Sequence, residues 1–513
     1  MMVGITLLLT GVLVSGILLH KANQNTAYVS TPSERPNFII ILADDIGWGD
    51  LGANQPGQRA NNTPNIDLLA LQGLRLTDFH SPASTCSPSR AAILTARYGV
   101  RNGVTHNFAV RSVAGLPLSE VALPRLLQES GYYTAMIGKW HLGHCGPYAP
   151  TSRGFDYYLG IPYSNDMGCT DVPGSDLPPS QPCSAGPQGD GPNPLPYLCV
   201  TVRICPVPFF IFFARQRKQP YLLYVALAHM HVPLAPPPAS FSTNELDGGR
   251  DVYAASLQEM DDLVGALKRA SDETNRDNTL IWFTGDNGPW EKKCQYAGSV
   301  GPYTGTWQTS RGGGSAKQTT WEGGHRVPTV AYWPSRIPAN TSSHALLSGM
   351  DIFPTLLSMA GLKPPVDRRY DGIDATDVLL NGDQTGREFL FHPNSGASGL
   401  FGDLQTVRAG KHKAFYITGS AEACGGGRGT QLLHDPPLIF DLGVDQAEAT
   451  PLDAGAPEYQ EVLGKVTKAR EELLWDIATD QSVSTADYTQ DQSAAPCCDP
   501  QRASCRCPGP AGG

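Results

Sequence analysis

The sequence predicts an α/β protein: a large, mixed and mostly parallel sheet flanked by helices, then a smaller C-terminal antiparallel sheet with a helix. Three apolar runs, 37–43, 221–227 and 279–284, each stop abruptly at polar residues, and helical stretches separate them. Runs that are apolar throughout read as parallel strands buried on both faces. From about 385 the texture changes to short alternating strands with turn residues between them, the mark of an antiparallel sheet. The chain has 513 residues and is 41% hydrophobic, enough to bury a sizeable core.

In chain order, residues 2–19 are almost uninterrupted apolar and end before His20 and Lys21. We read 1–20 as a signal peptide in preference to a short membrane anchor. After a polar stretch to Arg35, the strand 37–43 ends at Asp44-Asp45, and Gly47 and Gly49 open a loop. Helices are expected at 64–74 and 118–130. The strand 221–227 ends at Ala228-His229-Met230-His231. A helix over 251–271 leads to the strand 279–284, which ends at Gly285-Asp286-Asn287-Gly288, and a further helix is expected at 351–360. These elements form an N-terminal domain over 35–380. A small domain over 385–513 holds strands at 389–391, 404–408, 413–417 and 437–441, a helix at 458–478 and a cysteine-rich tail. No internal repeat is visible.

Composition narrows the partners. Only 17% of residues are charged, the net charge is −10, and no basic stripe is present, so nucleic acid is not an expected partner. An acidic total leaves room for an anionic substrate, because a local cationic pocket can sit inside an acidic surface. Twelve cysteines suggest an oxidising compartment. Cys169, Cys183, Cys199 and Cys205 form one cluster and Cys497, Cys498, Cys505 and Cys507 another, while Cys86, Cys145, Cys294 and Cys424 stand apart. Disulfides are favoured over zinc because the tail lacks paired C-x-x-C spacing, and the connectivity is not deducible. The sequons at Asn61 and Asn340 fit glycosylation on a secretory route.

Chemistry concentrates at the strand ends. Asp44, Asp45, Asp286 and Asn287 supply oxygen-rich side chains, and strand ends can gather them in one crevice around a hard divalent cation. Taken singly, each pair reads equally well as a turn or helix cap. Lys139 and His141 follow an apolar segment, His231 ends the second strand, and Lys317 lies in the loop Gly312-Gly313-Gly314-Ser315-Ala316-Lys317. A lysine suits phosphate or sulfate oxygens, and a histidine can move a proton. His229 would point to the opposite face of a continuing strand, so at most one of the two histidines faces the site. In Cys86-Ser87-Pro88-Ser89-Arg90, a thiol at a helix start beside an arginine would have a lowered pKa; spacing alone favours an ordinary buried cysteine before a helix.

The segment from Cys86 to Arg97 resembles the sulfatase signature C-x-P-S-R-x-x-x-L-T-x-R and matches it at every specified position. Blocks around Asp44-Asp45, Thr63-Pro64-Asn65-Ile66-Asp67, Gly138-Lys139-Trp140-His141, Thr284-Gly285-Asp286-Asn287 and Lys317-Gln318-Thr319-Thr320 agree, and the resemblance spans nearly all of 36–513. It implies an alkaline-phosphatase-like fold and a sulfuric ester hydrolase in which a dedicated formylglycine-generating enzyme oxidises Cys86 to formylglycine. Asp44, Asp45, Asp286 and Asn287 would hold Ca2+, with residue 86 completing the shell. Arg90 and His141 would steady the aldehyde hydrate, Lys139 and Lys317 would clamp sulfate oxygens, His231 would protonate the leaving alcohol, and Ser164 would support the site. The resemblance further implies a lysosomal enzyme acting on a sulfated glycan, the 3-O-sulfate of glucosamine in heparan sulfate, and on aryl sulfates.

Residues 195–219 depart from that pattern, being short, apolar and rich in Pro and Cys. Membrane contact through Phe209 to Phe213 is one reading; a splicing or gene-assembly artefact that replaces a helix is the favoured one. Two other functions compete with hydrolysis of sulfate. A phosphoryl-transfer relative is disfavoured by the cysteine at the nucleophile position, and a non-catalytic calcium- and glycan-binding protein is disfavoured by the complete constellation.

Overall fold

The computed structural model describes residues 35–55, 62–165, 219–234, 250–491 and 494. The leader 1–20, Asn61, the cysteines of 169–205 and 497–507 and all of the segment 195–219 but its last residue lie outside these residues.

Fourteen strands are formed among the described residues. β1 (Asn37–Ala43), β2 (Leu74–Leu76), β3 (Phe79–His80), β4 (Tyr133–Gly138), β5 (Tyr157–Leu159), β6 (Tyr221–Ala226) and β7 (Thr279–Gly285) precede β8 (Val330–Tyr332), β9 (Thr341–Ser343) and β10 (Leu347–Ser348). Eight of these make one sheet in the order β5-β4-β6-β1-β7-β8-β2-β9, and β3 pairs with β10 separately. The five strands from β5 to β7 are mutually parallel, with Ile40 opposite Tyr224 on one side and Trp282 on the other. Antiparallel pairing begins at β8. The sheet is therefore mixed and mostly parallel.

β1 shows why. All seven of its residues are buried. Phe38, Ile40 and Leu42 join one core with Leu222, Tyr224, Leu280 and Trp282. Ile39, Ile41 and Ala43 face the other way, into a second core with Leu223, Val225, Ile281 and Phe283. Helices α1 (Pro64–Leu71), α2 (Cys86–Thr95), α3 (Leu123–Glu129), α4 (Arg250–Asn275) and α5 (Ile352–Met359) cover both faces. α2, α3 and α5 supply Ile93, Leu127 and Phe353 to the first core, and α1 and α4 supply Leu69 and Met260 to the second. A fully buried Leu, Ile or Phe contributes roughly 1.5–3 kcal/mol, so the middle of β1 alone contributes on the order of 10 kcal/mol. That anchoring lets charged side chains be held out of water at its end.

The second sheet is antiparallel, β11 (Phe389–Pro393), β12 (Leu404–Ala409), β13 (His412–Thr418) and β14 (Leu432–Asp441), in chain order. Helix α6 (Pro457–Thr479) lays Tyr459, Val462 and Val466 on Val407, Ala414 and Ile439. The two sheets meet where Trp321 stacks on Phe415 at 4.1 Å and where buried Glu322 receives Lys413 Nζ at 2.8 Å and Arg326 Nε at 2.8 Å.

Some elements differ from expectation. The helix expected over 118–130 starts at Leu123, because Pro124 fits only the first turn of a helix. The strand expected at 437–441 begins at Leu432. β4 escaped notice because Tyr-Thr-Ala-Met-Ile-Gly is short and bounded by glycine, and β2, β5, β8 and β9 have only three residues each. Cys294 and Cys424 form a disulfide across 130 residues, a pairing that spacing does not reveal. Among the described residues no helix is long and apolar enough to cross a membrane.

Candidate active site

Sheet order brings the chemistry together. β4, β6, β1 and β7 are neighbours and parallel, so their carboxyl ends open on one crevice, where ligands of such sheets bind. Those ends carry Lys139 and His141, then His231, then Asp44 and Asp45, then Asp286 and Asn287. Asp45 and His141 both take the left-handed conformation, φ 56° and 58°, which turns the chain sharply as it leaves the strand. All of these side chains are buried.

α2 points its first residue at the crevice. Cys86 opens the helix, and Asn107 Oδ1 accepts the Ser87 amide at 2.8 Å, satisfying one of the donors a helix start leaves unpaired. Arg90 follows four residues later and so shares the face of Cys86. Its Nε and Nη2 both reach Asp286 Oδ2 at 2.8 Å, and its Nη1 donates to Lys139 O at 2.8 Å. Lys139 Nζ donates to Asp44 Oδ2 at 2.6 Å. Lys317 Nζ donates to Asp45 Oδ1 and stands 3.5 Å from Cys86 Sγ, which is itself 3.5 Å from Asp44 Oδ1. Three carboxylates therefore face three cations around one sulfur. Arg97, the last residue of the same signature, lies elsewhere: its guanidinium ties α2 to Glu120 and the backbone of Ser482.

The histidines are oriented by the backbone. His141 Nε2 donates to Phe108 O at 3.1 Å, while Ser87 Oγ donates to His141 O at 2.8 Å. His231 Nδ1 is 2.5 Å from Val232 O, which can only accept, so Nε2 is the nitrogen turned toward Asp45 Oδ2, at 3.7 Å. β6 ends at Ala226, so no strand alternation governs His229; it instead turns outward to Glu259 of α4 at 3.5 Å. Ser164 is buried with its Oγ unbonded among the described residues. The loop that carries it is pinned on both sides, by Tyr163 packed edge-on to His141 at 4.7 Å and by Asn165 Nδ2 donating to Pro233 O at 2.8 Å. Asn340 is exposed, far in sequence from these elements.

Electrostatics follow from burial and neighbours. Burial raises the Asp44 carboxyl, yet Lys139, His231, Arg90 and Lys317 together outweigh it and hold Asp44 below the usual carboxylate range. Asp286 moves upward, through burial and the adjacent Asp44 charge. The Cys86 thiol is pushed up, not down: loss of hydration at a fully buried sulfur exceeds the pull of Lys139 and Lys317. An unmodified thiolate is thus disfavoured here, contrary to the expectation from the helix start and Arg90.

The donor set suits a hard cation. Asp44, Cys86 and Asp286 place ligand atoms within 4.8 Å of one another, as do Asp45, Cys86 and His231. Asp45 Oδ2 and Asn287 Oδ1 are buried with no hydrogen-bond partner among the described residues. Buried acceptors of this kind are rare unless something meets them, and a divalent ion with oxygen ligands does. A second buried group, His80, Glu322 and His392, does not fit a cation, since Lys413, Arg408 and Arg326 already surround Glu322.

Sequence reasoning missed Asn107, Tyr163, Asn165 and Trp290. Trp290 was legible, three residues beyond Asn287; the others act through the fold and left no local signal. The Trp290 ring lies 5.6 Å from the His231 ring and 4.8 Å from Lys317 Nζ.

Residues 36–362 match the sulfatase family, and residues 385–507 match the C-terminal region of aryl-sulfatase. The chain is 54% identical to arylsulfatase G of Rattus norvegicus over 98% of both chains. It is 53% identical to arylsulfatase G of Homo sapiens, again over 98% of each. Among solved structures it is similar to a sulfatase from Pseudoalteromonas sp., with TM-score 0.72 and 27% identity, covering 88% of this chain and 92% of that one.

Proposed function

We propose, from the premise that this chain belongs to the sulfatase family, that it removes sulfate from the ends of sulfated glycan chains with a formylglycine made from Cys86 and a bound Ca2+. Sulfate ester hydrolysis of the arylsulfatase type follows from the family and its close arylsulfatase G relatives. The single observation that carries the finer reading is the place of Cys86 Sγ, 3.5 Å from both Asp44 Oδ1 and Lys317 Nζ at the mouth of four strand ends.

Asp44, Asp45, Asp286 and Asn287 would hold the ion, which supplies charge to polarise a sulfate oxygen. An aldehyde at position 86 would supply, once hydrated, a nucleophile for sulfur and a second hydroxyl through which sulfate could leave, an exit closed to a plain alcohol. The remaining work falls to fixed side chains. Arg90, held on Asp286 and Lys139 O, and His141, held on Phe108 O, orient residue 86. Lys139 and Lys317 neutralise the equatorial oxygens as charge develops, without reorganising at the moment of reaction. His231 presents Nε2 to the leaving oxygen and gives it a proton. Ser164 lines the wall beside them.

Cys86 is 1% exposed, which supports its conversion by the formylglycine-generating enzyme before the chain has folded. The apolar leader at 1–20, the Asn61 and Asn340 sequons and the Cys294–Cys424 disulfide support a secretory route ending in the lysosome. The boundaries 35–380 and 385–513 are proposed as catalytic and small C-terminal domains. The substrate is proposed as the glucosamine 3-O-sulfate of heparan sulfate, on the likeness to arylsulfatase G. Protein co-expressed with the modifying enzyme should release sulfate from a heparan oligosaccharide ending in glucosamine 3-O-sulfate. Release from a 6-O-sulfated end alone would overturn that assignment.

A further inference from the structure

A cavity of about 610 Å³ opens between the β2 and β8 side of the large sheet and the β12–β13 turn of the antiparallel one. None of the residues placed at the catalytic crevice lines it. Arg75, Arg326, Arg387, Arg408 and Lys411 stand on its wall, and among the described residues Asp78 is the sole carboxylate there. In a chain of net charge −10, this is a local excess of positive charge of the kind that gathers anions. The other carboxylates that pair with these cations do not line the cavity: Glu322 and Asp351 are wholly buried, and Asp441 and Glu458 meet Lys411 elsewhere. Asp78 reports the sign of the field. Burial raises its carboxyl, yet Arg326, Arg408 and His80 outweigh that and hold it below the usual carboxylate range.

Three donors of this wall are unused. Arg75 gives Nη1 to Ala53 O and Nη2 to Ser342 Oγ, and its Nε meets no partner among the described residues. Arg387 gives Nε and Nη2 to Asp351 and Asp371 O, which leaves Nη1 in the same state. The Nε1 of Trp48 is buried and likewise unmatched among the described residues, and buried donors rarely stay so unless something meets them. Trp48 also stands edge-on to Tyr303, ring centres 5.1 Å apart, so two aromatic rings border the charges. The volume falls within the roughly 300–1,000 Å³ of pockets that enclose whole small molecules, more than a bare oxyanion fills. Rings that pack on the CH faces of a sugar, beside arginine forks that match tetrahedral oxyanions, suit a sugar bearing such groups.

We propose that this cavity is a second saccharide-binding site, separate from the catalytic crevice, that takes a sugar unit carrying sulfate groups. The choice of sulfate over phosphate rests on the reading that the protein acts on sulfated glycans. Arg75 and Arg387 grip the sulfate oxygens, Lys411 adds charge at the rim, and Trp48 and Tyr303 wall the ring.

The test titrates sucrose octasulfate, a disaccharide with every hydroxyl sulfated, by calorimetry into the aldehyde-bearing parent, Arg75→Gln, Arg75→Lys and Lys411→Gln. The same proteins are assayed for kcat/KM on 4-nitrophenyl sulfate, and their thermal midpoints establish that each is folded. The parent should bind. Arg75→Gln and Lys411→Gln should each weaken the affinity by about tenfold, the loss of one charge-assisted hydrogen bond at a partly exposed site, with kcat/KM unchanged. Arg75→Lys should retain more of the affinity than Arg75→Gln. No binding by the parent, or an affinity unchanged in both Gln variants, overturns the proposal. So does a fall in kcat/KM that matches the fall in affinity, since it puts the probe in the catalytic crevice. Binding of glucose 1,6-bisphosphate with none of sucrose octasulfate makes the cavity a phosphosugar site and overturns it too. If the parent cleaves 4-nitrophenyl sulfate but no glucosamine sulfate, the glycan reading of the catalytic crevice fails, and the titration still decides the cavity.

Discussion

Lys139 Nζ donates to Asp44 Oδ2 at 2.6 Å with neither side chain exposed to solvent, and the strand β6 lies between the two strands that carry them. In the proposed reading, the pair joins the residues that would hold the ion to those that would meet the sulfate. Lys139→Ala should cost stability as well as turnover, because it leaves a buried carboxylate beside Asp286 with one cation fewer; the loss is about 3 kcal/mol. Turnover should fall at least about 100-fold, the effect of removing one fixed electrostatic contact. Denaturant melts and steady-state kinetics check both, and Lys139→Arg should recover the stability more than the rate.

Removal of divalent metal should be visible without any assay of activity. With a chelator the thermal midpoint should drop and then return on adding Ca2+, because Asp45 Oδ2 and Asn287 Oδ1 are left as unmet buried acceptors. Asn287→Ala should abolish the Ca2+-dependent part of the shift. A midpoint indifferent to chelator would contradict the assignment of these four residues.

The junction of the two sheets should be most stable in mild acid. Burial pushes the Glu448 carboxyl from the usual 4.5 up to about 7, against Lys413, which it shares with Glu322. A carboxyl raised on folding contributes stability below its unfolded pKa and loses it as pH rises toward the folded value, so stability falls from about pH 4.5 to 7. Glu322 shifts the other way: burial raises it, but Lys413, His80, Arg408 and Arg326 prevail and hold it well below 4.5. Its contribution is present above 4.5 and is lost at lower pH. Melting temperature against pH should therefore peak near pH 4–5, and Glu448→Gln should flatten the alkaline side of that peak.

The Cys294–Cys424 bond spans 130 residues and ties the Trp290 segment to the loop after β13. Cys294→Ser with Cys424→Ser should lower stability by about 2–4 kcal/mol through the larger entropy of the unfolded chain.

Much of this molecule was legible beforehand, for physical reasons that particular residues show. β1, β6 and β7 are apolar on both faces because both faces are covered, and such runs stand out. The acidic and basic residues of the crevice were readable because strand ends expose chemistry at fixed places in the chain. Three-residue strands such as β2 and β8 carry no periodicity and exist only through their neighbours. Asn107 and Asn165 act by capping a helix start and clasping a distant turn, contacts made by the fold and not by spacing. The Cys86 thiol was misjudged because a helix start and an arginine are visible in sequence, whereas complete loss of water at the sulfur is not.

The most direct test measures sulfate release from 4-nitrophenyl sulfate by protein co-expressed with the formylglycine-generating enzyme, beside Cys86→Ala, with the peptide bearing residue 86 weighed by mass spectrometry. The predicted result is release by the parent alone, with a mass at residue 86 showing sulfur and two hydrogens replaced by one oxygen. Equal release by Cys86→Ala, or no release by a parent whose residue 86 carries the aldehyde, would contradict the account.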